Sequence, residues 1–355
     1  MRIGFSLYVG ALATMMSFAG ITSSAAMYDL TLGHDLRLLP VGRDSLKGRV
    51  YARAAQLDSL LAEKQSRINY DTTYIMRPRA KLTLKMRTNV SGSAFISKGS
   101  KGEYTFRSDI QTDHKATLSV SATYLGLSLG FSLNPANLKG RSKDYEFNLN
   151  SYSNRYGFDI AYQEAQTLSG DVVINHETYF MPKGVVNMKM LSINGYYALN
   201  GRRFSYPAAF SGSYLQRRSA GSWLLGFSFL GGSLKAGEKR SEYIPSYRIY
   251  VGHFGIGAGY GYNLVCRKRW LFHLSALPTL VVSNQNNIKI DGEKRHMTTQ
   301  FPDLILAERA AILHQFGEKY FAGATLVMTN SLLGDKHIDI NYRKWMARLF
   351  FGIRL

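Results

Sequence analysis

The sequence predicts an all-β fold, an antiparallel transmembrane β-barrel of about 12 strands with a short N-terminal periplasmic helix. Three observations carry that expectation. Segments of about ten residues alternate apolar and polar side chains along most of the chain, the length a tilted strand needs to cross hydrocarbon. Aromatic residues crowd the segment ends, as at Tyr124, Tyr145, Tyr152, Tyr156, Tyr162, Tyr197, Tyr262, Trp270 and Trp345, where a membrane-interface girdle places them. Beyond Ile21 no run of about 18 apolar residues occurs, so any membrane entry must be by strands.

Residues 1–26 read as a cleaved export signal, with Met1-Arg2 as the basic start, Ile3 to Ile21 mostly apolar and Thr22-Ser23-Ser24-Ala25-Ala26 for cleavage. An uncleaved anchor is the alternative. Residues 27–78 form an N-terminal segment in which Leu46, Val50, Ala54, Leu57 and Leu61 recur at helical spacing behind Asp44 as N-cap. This amphipathic helix is either periplasmic or packed on the main domain, residues 79–355.

From Leu82 the period becomes two. Leu82, Leu84 and Met86 alternate with Thr83, Lys85 and Arg87; Phe158 and Ile160 alternate with Asp159 and Ala161; Leu349, Phe351 and Ile353 alternate with Phe350, Gly352 and Arg354. Strands are expected near 81–88, 115–124, 126–133, 143–152, 156–163, 187–199, 223–232, 251–263, 270–283, 303–314, 320–332 and 341–355. Turns at 264–269 and 315–319 are short and loops at 233–250 and 284–302 are longer and polar, so the short turns face the periplasm if Leu355 does. Pro207 and Arg217-Arg218 break the pattern between 201 and 222; this stretch is expected at the periplasmic mouth or folded into the lumen, a further strand pair being the competing reading. A soluble sandwich or barrel with its apolar face inside gives similar alternation, so a secreted soluble β-protein stays as an alternative.

Three stretches resemble a family of uncharacterised Bacteroidota outer-membrane proteins, the domain of unknown function 4421 family. They are Tyr70-Asp71-Thr72-Thr73-Tyr74-Ile75 with Lys81-Leu82-Thr83-Leu84, the Tyr152-Ser153-Asn154-Arg155-Tyr156-Gly157-Phe158-Asp159 hairpin, and Phe204-Ser205-Tyr206-Pro207-Ala208-Ala209-Phe210 followed by Gln216-Arg217-Arg218-Ser219-Ala220-Gly221-Ser222. The resemblance runs from about Tyr70 to the C-terminus and implies an outer-membrane barrel with no known activity.

The chemistry is sparse. Lys plus Arg number 44 against 24 Asp plus Glu, a net charge of +20, which excludes an acidic disordered chain. Cys266 is the single cysteine, so no intrachain disulfide and no Cys-rich metal site can form. The histidines lack zinc spacing, and no metal or cofactor is expected. Gly255 to Gly261 imitates a nucleotide-binding pattern but lies inside an expected strand, where glycine makes room for large neighbours or curvature. His273 and Ser275, two apart on one strand, share a face, the spacing that outer-membrane lipid hydrolases use. The topology puts them near the periplasmic end, and Asn263 and Asn284 are candidates to orient the imidazole only by proximity in sequence.

The expected role is therefore structural, or the passage or binding of a small, possibly anionic solute; a lipid-modifying hydrolase is the alternative. Arg217, Arg218, Tyr206, Gln216, Lys81, Lys85 and Arg87 are the candidate lumen or constriction residues, and Arg348 and Arg354 add to the positive lumen. The expected partners are outer-membrane lipids including lipopolysaccharide, the barrel-assembly machinery and that solute. Nucleic acid is not expected of an exported chain with no recognised module.

Overall fold

The structure is a computed structural model that describes residues 56, 59, 60, 63, 68–101, 104–124, 127–133, 144–236, 247–290, 293–296, 303–335 and 338–355. Residues 1–60 and 61–355 form separate units. Of the expected N-terminal helix, Gln56, Ser59, Leu60 and Glu63 are described and helical; the rest of that helix and the export signal lie outside the described residues.

Twelve strands build the wall: β1 Leu82–Lys101, β2 Lys115–Tyr124, β3 Leu127–Leu133, β4 Tyr145–Tyr152, β5 Tyr156–Ala165, β6 Val186–Ala198, β7 Ala220–Ala236, β8 Tyr247–Cys266, β9 Trp270–Asn284, β10 Leu304–Phe316, β11 Tyr320–Asp335 and β12 Ile338–Arg354. Each follows an expected strand, many extended at the long-loop end. Antiparallel pairing runs unbroken from β4 through every successive strand to β12. There β12 pairs with β1 over Ile338↔Gly99 to Arg354↔Thr83, and the order continues through β2 to β3. A meander whose last strand pairs with its first is a strongly curled, barrel-type sheet; among the described residues the join between β3 and β4 is the one place in the wall without a described register.

The upper half of β1 leaves β2 and pairs with a ribbon, Tyr104–Gln111, which in turn pairs with Ser169–Ile174 and that with Glu177–Met181. A second hairpin, Asn287–Ile290 with Glu293–His296, extends β8. These ribbons were not expected, because each is too short to show a periodicity apart from its loop.

The wall is inverted relative to a soluble protein. In β9, Leu274 is 69% exposed while its neighbours His273 and Ser275 are each 3% exposed. Phe227 and Phe351 stand on the outer surface with Met86, Val120, Trp223, Ile256 and Leu349, rather than converging on an interior. At the short-turn end the outer face carries aromatic pairs: Tyr156 is registered with Tyr197, Trp223 meets Tyr260 edge-on at 5.5 Å, and Trp270 stacks on Phe272 at 6.0 Å.

The lumen is filled. Toward the long loops, Phe95, Ile110, Leu168, Met188, Leu230, Val281 and Tyr342 form a dry layer drawn from opposite walls. At the short-turn end Tyr196, Phe204, Tyr206, Phe210, Leu224, Leu277, Phe321 and Phe350 form another. Fully burying each large side chain contributes about 1.5–3 kcal/mol, so these layers hold the cylinder together from within. Between them lies a polar layer in which Lys344 donates to Glu146 at 2.6 Å and Ser93 donates to Gln163 at 2.6 Å.

Candidate functional site

The connection from β6 to β7, residues 199–219, turns up into the lumen. It contains one helical turn, α1 Tyr206–Phe210, and the sequence states why. Ser205 is an extended N-cap whose hydroxyl accepts from Ala208 N–H at 3.2 Å, Pro207 supplies a fixed φ in the first turn, and Gly212 at φ 69° closes the end by donating to Pro207 C=O at 2.9 Å. Leu215–Gln216 then pairs with Ile75–Met76, so the further wall strands do not form.

This plug is tied to the wall by one polar chain. Asn263 on β8 donates both amide hydrogens to plug groups, to Ser205 C=O at 2.9 Å and Gln216 Oε1 at 3.0 Å. Its Oδ1 is thereby left facing His273 Nδ1 at 2.7 Å, so that nitrogen carries the proton. Nε2 is then the acceptor, Ser275 Oγ donates to it at 3.0 Å, and Tyr206 O–H donates to Ser275 at 2.9 Å. Order and polarity are those of an Asn-His-Ser nucleophile relay. Access is not: Tyr206, Phe204 and Phe210 cover the imidazole with ring centroids 4.9, 5.9 and 5.1 Å away, and Ser275 faces the lumen rather than lipid.

A second anchor is ionic. Arg309 on β10 donates to Asp159 Oδ2 through Nε at 2.9 Å and Nη2 at 2.6 Å, and Asp159 Oδ1 accepts from Asn150 and Tyr152. The guanidinium also lies 5.6 Å from the Tyr196 ring and 5.9 Å from that of Tyr206. Asp159 sat on the polar phase of its strand, but Arg309 lies on an otherwise apolar phase between Ala307 and Ala311, and a pair 150 positions apart could not be matched without the strand order.

The family model described as Domain of unknown function (DUF4421) matches residues 69–354. The chain belongs to this family. No curated protein sequence matches it. Among solved structures it is similar to the outer-membrane protease OmpT of Escherichia coli, with 6% identity, a TM-score of 0.42 and coverage of 79% of this chain and 98% of that one. The translocator domain of the autotransporter NalP from Neisseria meningitidis gives 10% identity and a TM-score of 0.29, covering 87% and 98%. OprG from Pseudomonas aeruginosa gives 10% and 0.25, covering 79% and 99%. The barrel assignment rests on this DUF4421 chain's own register.

In this DUF4421 barrel the expected lumen residues divide. Tyr206 and Gln216 are buried in the plug; Lys85 is buried and Arg87 half-buried on the inner face of β1. Lys81, by contrast, is exposed ahead of β1, and Arg217 and Arg218 are exposed at the mouth rather than in a constriction, because the plug's end returns to the rim to meet Ile75–Met76. There they border a cavity of about 570 Å³ with Lys268, Arg269, Gln315 and Glu318. Arg267 and Lys268 form the tight β8–β9 turn at φ 51° and 58°, a conformation that ordinarily selects Asn or Gly. Asp71 steadies the segment across the mouth: it accepts from Thr73 O–H at 2.7 Å and Thr73 N–H at 3.0 Å, and these bonds hold its carboxyl below the usual aspartate range. The glycine tract makes room, not a phosphate cradle. Pairing of β8 with β9 lapses between Ile256 and Tyr260, opposite Pro278, and a Cβ on Gly261 would meet Phe204 at 3.0 Å.

Proposed function

We propose that the protein is an outer-membrane β-barrel that keeps its lumen closed and binds a small anionic solute, without catalysing a reaction. The observation that carries the reading is the inverted wall: an apolar, aromatic-rimmed exterior around an interior containing Lys85, Asp159, Arg309 and Lys344. Such an exterior is unfavourable in water and matched to acyl chains. The basic mouth and the excess of cations in the lumen support an anionic solute. Lipopolysaccharide contacts at the long-loop end and recognition of β12 by the barrel-assembly machinery belong to the same proposal.

The test is extraction with folding. The protein should resist carbonate, dissolve in detergent and run faster unheated than boiled; release by carbonate would reject the membrane assignment and favour a secreted soluble form. A second reading, lipid hydrolysis, is favoured by the complete Asn263–His273–Ser275 relay. Turnover of phospholipid by wild-type protein that Ser275→Ala abolishes would establish it; the covered serine predicts none.

A further inference from the structure

The buried charges of the lumen do not balance locally. Arg309 has Asp159; Lys344 has Glu146; Lys115 lies 4.0 Å from Asp144 and 3.9 Å from Glu146. Lys85, Arg87, Arg348 and Arg354 have no carboxylate partner among the described residues. All four project from the inner faces of β1 and β12, where Lys85 is registered with Gly352, Arg87 with Phe350 and Asn89 with Arg348. Lys85 is under the electrostatic influence of the other three.

What holds these cations is neutral. Lys85 Nζ donates to Ser211 C=O of the plug at 2.6 Å and lies 5.5 Å from the Phe350 ring. Arg354 donates to Gly212 C=O at 3.0 Å and Gln315 Oε1 at 2.8 Å, which spends it on the plug. Arg348 reaches Asn150 Oδ1 at 2.5 Å. The Arg87 Nε and Asn89 Oδ1 atoms are buried with no hydrogen-bond partner among the described residues. Removing a cation from water without a counter-charge costs several kcal/mol, and grouping like charges adds to it. A counter-anion at the group would offset that cost.

We propose, resting on the solute-binding reading above, that the inner face shared by β1 and β12 is an oxyanion site, in which Lys85, Arg87 and Arg348 hold a phosphate-class group. Two guanidinium forks and one ammonium suit the several oxygens and double charge of a tetrahedral oxyanion better than a single carboxylate. Lys85 is fixed on the plug, whereas Arg87 and Arg348 are half-exposed to the lumen, and Arg348 is held only by neutral partners, Asn150 and Met346, that an anion can replace. Because the ammonium bonds the plug's own carbonyl, occupancy of the site and seating of the plug are coupled. The same chemistry arises from free phosphate or from a small phosphate ester.

The experiment is calorimetric titration of the folded, detergent-solubilised protein with inorganic phosphate, with glycerol phosphate and with chloride at matched ionic strength, together with the temperature at which the fast-migrating form is lost. Phosphate or its ester should bind and raise that temperature where chloride does not, and the tighter of the two identifies the source. Arg87→Met with Arg348→Met should weaken binding about tenfold or more, and Arg→Lys at both positions should restore part of it. If the Met pair fails to fold, Arg87→Lys alone supplies the comparison, with about severalfold weaker binding expected. Equal responses to phosphate and chloride, or unchanged affinity in the variants, would overturn the site. Loss of binding in Arg217→Ala with Arg218→Ala but not in the β1–β12 variants would move the anion to the mouth and overturn it as well. A protein that proves carbonate-extractable yet binds phosphate through Arg87 and Arg348 would reject the membrane reading and leave the site standing.

Discussion

Asn263 makes three hydrogen bonds with one side chain. Two hydrogens hold the plug, one oxygen fixes the His273 tautomer, and through that tautomer Ser275 is left to accept from Tyr206. Asn263→Leu leaves Ser205 C=O and His273 Nδ1 without partners in a buried site, so a loss of about 2–4 kcal/mol is expected, read as a lower unfolding midpoint in detergent. Asn263→Asp cannot donate to Gln216 and should also destabilise. Arg309 makes a sharper case. Arg309→Met strands the Asp159 carboxylate and should cost about 3–5 kcal/mol, whereas adding Asp159→Leu to it should recover much of the loss. A double variant no more stable than the single one would show that Arg309 acts through its ring contacts rather than its charge. At this scale the sequence was half legible. Alternation placed Asp159 and Lys85 on the polar phase and His273 with Ser275 on one shared face, but which residue meets which depends on strand order and on a plug that follows no period.

The plug and the turn below it show how an element can be read from chemistry but not from periodicity. Pro207 and the basic pair marked residues 201–222 as something other than a strand, while the Ser205 cap, the Gly212 end and the buried aromatic rings of Phe204, Tyr206 and Phe210 decided that it enters the lumen. The neighbouring turn carries a conflict. Arg267 and Lys268 occupy left-handed conformations that cost each of them about 1 kcal/mol relative to Asn or Gly. Arg267→Asn with Lys268→Gly should therefore raise the unfolding midpoint, and if cations at the rim attract the solute, the same change should slow its capture at low salt. The segment facing this turn should loosen in acid. The Asp71 carboxyl is held below its ordinary value by Thr73, so its contribution is fully present above the usual aspartate value near 4 and is lost as pH falls below that, through the lowered value. Proteolysis near residues 70–77 should accelerate below about pH 4 in wild type, and Asp71→Asn should show the fast rate already at neutral pH.

For the whole molecule the decisive relation is between a wall that is inside out and a lumen that is not empty. A barrel of about 12 strands could leave an aqueous bore, but here apolar layers drawn from opposite walls cross it at both ends, with a polar layer between them. Strand number and direction were legible because each wall strand is long enough to alternate several times. The upper layer was not, since Ile110 and Met181 come from loop ribbons too short to carry a pattern and Leu168 from the connection that leads into one. A filled lumen predicts a protein that binds rather than conducts. Wild-type barrels reconstituted in planar bilayers should show no steady ionic current. Replacing residues 203–218 with a four-residue Gly-Ser turn removes the plug's share of the lower layer, Phe204, Tyr206 and Phe210, and exposes Lys85, Arg309 and Arg354, yet leaves the Phe95–Tyr342 layer in place. Such a variant should gain at most brief, anion-selective openings, and steady current should need the upper layer disrupted as well, for instance by Leu230→Ser with Met188→Ser. Steady current through the unaltered protein would mean that these layers part in the membrane, and the closed barrel would have to be given up.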